Sequence, residues 1–146
     1  MPRYTESQTT SWRSRPHFSA RLTLIVISAA LGTYSLFFIG PQAKALDRSI
    51  SLWTQIAWAA GVAYAYGLIG FAATKDIRWA GVAAIVLGAI STPLFTLFWL
   101  MSGWSMPSFE AAMPYLGYIA GNIVMFVVAT TIVVRMVTAG VWSSVR

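Results

Sequence analysis

Cysteine is absent from the 146 residues, histidine occurs once, at position 17, and charged residues make up only 10%. Without thiols there is no intrachain disulfide, no metal–thiolate site and no cysteine-ligated iron–sulfur cluster. A single histidine supplies neither bis-histidine haem ligation nor a histidine metal cluster within one chain. Soluble domains carry about 25% charged residues, so this chain falls far short of a solvated surface. Acids are scarcest of all, with four Asp and Glu against ten Lys and Arg, for a net charge of +6. These shortages exclude a cytosolic globular enzyme, a disulfide-stapled secreted module and a disordered regulator.

What is abundant is apolar: 58% of residues are hydrophobic, and the mean hydropathy is +0.68. Four stretches, 22–39, 52–73, 79–101 and 114–134, each reach the roughly 18 residues that mark a membrane span. They predict an all-α, polytopic membrane protein folded as an antiparallel four-helix transmembrane bundle. A flexible basic tail over 1–21 should precede the spans, and a short tail over 135–146 should follow them. Gly40-Pro41 is expected to end the first span, because proline cannot continue the hydrogen-bond ladder. Pro114 is expected to open the fourth as a favoured first-turn residue. Pro93 should kink the third and free the carbonyl of Ala89, with Ser91, Thr92 and Thr96 close enough to re-satisfy it. The short segment 74–78 makes spans two and three antiparallel neighbours.

Basic residues set the expected threading. Arg3, Arg13, Arg15, Arg21, Lys75, Arg78, Arg135 and Arg146 fall on one side of a four-span chain, and only Lys44 and Arg48 on the other. The positive-inside rule then gives N-in, C-in, in a membrane of the bacterial cytoplasmic (inner) type. Charges that punctuate apolar runs in this way suit lipid headgroups, and no nucleic-acid partner is expected. Ala43-Lys44-Ala45 has the shape of a signal-peptide cleavage site. The apolar run before it, about 18 residues against the usual 7 to 15, favours a retained anchor over cleavage after Ala45. The tail also shares the Arg-rich, acid-poor character of an organellar targeting peptide, although a solvated positive flank explains it more simply.

The spans differ in lipophilicity. The first holds ten Leu, Ile, Val or Phe residues and the second only six. On that ground the second should pack against other helices rather than face acyl chains. Gly117 and Gly121, Ala57 and Gly61, and Ala84 and Gly88 repeat at four-residue spacing, marking places where backbones approach closely. Packing within the bundle is the expected use of Gly61, Gly88, Gly117 and Gly121, ahead of a homodimer seam. Trp53, Trp79, Trp99, Trp104 and Trp142 fall near span ends, as an interfacial belt places them, whereas Trp58 lies deeper.

No span contains Asp, Glu, Lys, Arg or His. In length and span count the chain resembles small multidrug-resistance transporters. It lacks the membrane-embedded glutamate of their first helix, since Glu6 lies in the tail. With His17, Asp76 and Glu110 all in tail or loops, no nucleophile–base pair is apparent, so no enzyme, metal or cofactor is expected. Uncharged polar groups remain. Gln55, Trp58, Val62 and Tyr66 share one face of the second helix, with Tyr64 nearly opposite. Tyr115, Tyr118, Asn122 and Met125 share a face of the fourth. Where those faces meet, Gln55, Tyr66, Tyr118 and Asn122 either line a polar pocket or bond one another across helices. The expected role is a non-catalytic accessory or assembly subunit, in contact with the lipid bilayer and with a larger membrane-protein partner or copies of itself. The competing roles are an oligomeric carrier or channel for an uncharged or lipid-like solute, and a small membrane enzyme or quinone-binding module.

Overall fold

The computed structural model describes residues 17–46, 49, 51–103, 109–140 and 142, and every element in them is helical. The helices are α1 (Phe18–Leu46), α2 (Leu52–Lys75), α3 (Ile77–Gly103) and α4 (Phe109–Thr138). Each contains an apolar segment of 21 to 26 residues, long enough to cross a bilayer, which takes about 20. Most of the expected tail, with Arg3, Glu6, Arg13 and Arg15, lies outside the described residues, as do Arg48, Trp104 and Arg146. The side chains of Lys44, Trp99 and Glu110 lie outside them too.

Helix ends depart from the sequence expectation at the prolines. α1 runs through Gly40-Pro41 to Leu46, and α4 begins five residues before Pro114, at Phe109. Pro93 likewise sits inside α3. A proline in a membrane helix forfeits one amide, and neighbouring hydroxyls and helices absorb the loss, so it need not end the helix. Capping chemistry marks the start of α2, where Ser51 Oγ accepts from the amide of Thr54. Asp76 alone separates α2 from α3.

Contacts run in opposite senses along neighbouring helices. Arg21 at the start of α1 donates from Nη1 to the Ala73 carbonyl near the end of α2 at 2.9 Å, while a Cβ on Gly32, farther along α1, would lie 3.4 Å from the Ala63 carbonyl. Gly81 of α3 faces Val133 of α4, and Gly88 faces Phe126 and Asn122. The closest packing joins α1 to α2 and α3 to α4, and α2 and α4 stand apart across the bundle. α1 buries a stripe of Arg21, Leu24, Ser28, Leu31, Ser35 and Phe38, spaced alternately three and four residues apart. The small serines let α2 come close, and a Cβ on Gly70 would sit 3.7 Å from that of Ser28.

Low lipophilicity does not make the second span the central helix of the chain. Its mean hydropathy, 1.5, is the lowest of the four, yet only 22% of its segment is buried, against 39% for α1. Lipophilicity governs whether a helix enters the bilayer, whereas the small and polar stripe on α1 governs which helix sits centrally. Trp58, expected on one face with Gln55 and Tyr66, departs from it: those two are buried, whereas Trp58 is 53% exposed on the outer surface of α2.

Candidate functional site

The buried faces of α2 and α4 follow the helical period. α2 turns Gln55, Ala59, Tyr66, Ile69 and Ala73 inward, and α4 turns Tyr115, Tyr118, Asn122, Met125, Ala129 and Met136. Because the two backbones are far apart, only long side chains span the gap. The Tyr66 hydroxyl donates to Asn122 Oδ1 at 2.6 Å and lies 2.9 Å from the Tyr118 hydroxyl. Asn122 Nδ2 donates to the Tyr118 carbonyl at 2.9 Å, which fixes the amide's orientation. From α1, Ser35 Oγ sits 3.2 Å from the Tyr118 hydroxyl, and Ser91 of α3 bonds the Tyr66 phenol. All four helices thus contribute to one knot of polar groups.

Proton counting gives the knot a direction. The Tyr66 proton is committed to Asn122 Oδ1, an oxygen that only accepts, so Tyr118 donates to Tyr66 across their 2.9 Å contact. The single Ser35 proton is then shared between Tyr118 and the Leu31 carbonyl, 2.7 Å away. Aromatic rings enclose the chain of bonds. Phe95 meets Tyr118 edge-on at 4.5 Å, and Phe38 meets Tyr115 edge-on at 5.0 Å. Tyr34 stacks on Tyr118 at 5.8 Å and donates to the Pro114 carbonyl. Tyr66, Tyr118 and Asn122 have no exposed surface. Chemically this is a neutral, mutually satisfied network in a low-dielectric interior, where each bond is strong and each unmade bond is costly.

Three of the four expected site residues therefore meet. Gln55 does not join them: it is buried on the same helix but lies eleven residues, about 16 Å, from Tyr66. Sequence reasoning missed Ser35 altogether and considered Ser91 only as a neighbour of Pro93. The three-and-four spacing of the α1 stripe was the signal that pointed to Ser35. Among the expected packing glycines, Gly88 and Gly121 lie against neighbours: a Cβ on Gly121 would fall 2.7 Å from Leu31 Cδ2. Gly117 is exposed beside the Tyr34 hydroxyl, and Gly61 faces open space, so Gly61 takes no part in packing within the chain.

A second polar group gathers at the α2–α3 link. Arg78 Nη2 contacts Asp76 Oδ2 at 2.8 Å, and Nη1 donates to the Trp142 carbonyl at 3.0 Å. Bonds from the Arg78 side chain hold the Asp76 carboxyl below the usual carboxylate range. Among the described residues, no three His, Cys, Asp or Glu side chains come together. Comparison with family models, with curated proteins and with solved structures finds no match to the chain.

Proposed function

We propose that this four-helix chain is a non-catalytic accessory or assembly subunit of a larger integral-membrane complex. We further propose that it lies N-in, C-in in a bacterial cytoplasmic membrane. The observation that carries this reading is the outer face of α2. The least lipophilic of the four helices presents Trp53, Trp58, Tyr64 and Phe71 outward, at 79%, 53%, 68% and 61% exposure, around the bare backbone of Gly61. Acyl chains gain little from such a face, whereas a partner helix gains close backbone approach and aromatic contact. The polar centre supports the same reading, because its hydroxyls and amide already bond one another.

Purification of the full chain from native membranes in mild detergent tests the proposal. Larger membrane subunits should co-migrate with it. Gly61→Leu should reduce their recovery about tenfold, the effect of ~1.4 kcal/mol, without lowering the chain's own thermal stability. Migration of the chain alone as a homo-oligomer, with solute flux in proteoliposomes, overturns the proposal in favour of a carrier.

A further inference from the structure

The end of the bundle that carries residues 17–21, 73–79 and 131–142 holds most of the described cationic groups, and they are used unequally. Arg21 is buried and bonded to the Ala73 carbonyl, and Arg78 is neutralised by Asp76. The Lys75 ammonium lies 5.7 Å from the centre of the Phe71 ring. Arg135, in the last turn of α4, has no acidic partner among the described residues. It borders a groove of about 330 Å³ between the start of α1 and the end of α4. His17, Ser19, Ala20, Ile132 and Ala139 line the same groove. The rim thus offers a guanidinium, an imidazole and a hydroxyl, and the floor is largely apolar. No acidic residue occurs in the first turn of α1 to repel an anion there.

We propose that this α1–α4 groove binds an anionic phospholipid, with its phosphate held by Arg135 and His17 and its upper acyl chain laid along Ala20 and Ile132, one turn deeper on each helix. Two features select a lipid over a free anion. The groove opens beside two membrane-spanning segments, Phe18–Ile39 and Met113–Thr138, at their shared end. Its floor has no use for inorganic phosphate but matches a hydrocarbon chain. Its unpaired positive charge is complementary to one phosphodiester. Arginine suits this role because its planar fork binds two phosphate oxygens together. The inference is independent of the α2 surface, which lies on a different helix.

The test is native mass spectrometry of the full chain released from nanodiscs of phosphatidylglycerol and phosphatidylcholine in equal amounts. The expected result is preferential retention of one phosphatidylglycerol. Arg135→Gln with His17→Gln should lower that retention at least fivefold, and Lys75→Gln should leave it unchanged. Ala20→Trp, which keeps every charge but fills the floor, should lower it similarly. Equal retention of phosphatidylcholine, or an equal loss in Lys75→Gln, overturns the site as mere surface charge. Inorganic phosphate that displaces the lipid at millimolar concentration, or an Ala20→Trp variant that retains lipid fully, overturns the lipid assignment. Unchanged retention in the Arg135/His17 variant overturns the proposed headgroup contacts.

Discussion

Replacing Asn122 with leucine removes two bonds at once: the acceptor for Tyr66 and the donor to the Tyr118 carbonyl. Interhelical bonds in membranes average about 0.6 kcal/mol and reach about 1.7, so the expected loss is about 1–2 kcal/mol, read by detergent-titrated unfolding. Tyr66→Phe should cost less, and the two losses should couple by about 0.5 kcal/mol or more in a double-mutant cycle. Strict additivity would show that the two side chains do not depend on each other. Flux that disappears while assembly stays intact would instead mark this centre as a solute path. The face containing Tyr118 and Asn122 was legible from the 3.6-residue period, and so was Tyr66. Gln55 was not separable from them by period alone, because angular position says nothing of depth along the axis. Ser35 escaped notice because a serine in a lipophilic helix reads as filler until its partner helix is known.

At the scale of the helix, two glycines of equal standing in the sequence should behave oppositely. A Cβ on Gly88 would lie 3.0 Å from the Phe126 Cβ and 3.4 Å from the Asn122 carbonyl, atoms on or next to the α4 backbone that cannot swing aside. Gly88→Ala should therefore force α3 from α4 and lower the melting temperature. Gly61 meets nothing within 4 Å, so Gly61→Ala should be neutral or stabilising by up to about 1 kcal/mol through helix propensity. The link between α2 and α3 carries its own test. The Asp76 pKa is lowered in the folded chain, so its contribution is present above the unfolded value of about 4 and is lost as pH falls through the folded one. Thermal melts should thus weaken below about pH 4 and lose that component in Asp76→Asn. Both side chains keep solvent access, at 20% and 21% exposure, and screening through it keeps the effect modest. Which four segments become helices was plain from apolar length. Where they end was not, since Pro41 and Pro114 lie inside helices, as membrane helices tolerate.

Threading is a property of the whole molecule, and the absence of native thiols makes it directly measurable. Ala45→Cys should react with an impermeant maleimide from outside and Lys75→Cys only after permeabilisation; labelling of both from the same side contradicts the N-in, C-in arrangement. The number of spans was readable from composition, but their placement around the axis was not. The inward position of α1 depends on six residues of one stripe, and its ten lipophilic residues advertise the opposite. The gap between α2 and α4, bridged by side-chain tips alone, has a consequence for biogenesis. The α1–α2 hairpin can leave the translocation channel with its closest helix pairing already made, while the Tyr66 phenol still points into a vacant quarter filled only when the second hairpin arrives. A nascent chain halted just past Lys75 would then stand in the membrane as a half-molecule with the Tyr34 and Tyr66 hydroxyls both deprived of their α4 partners.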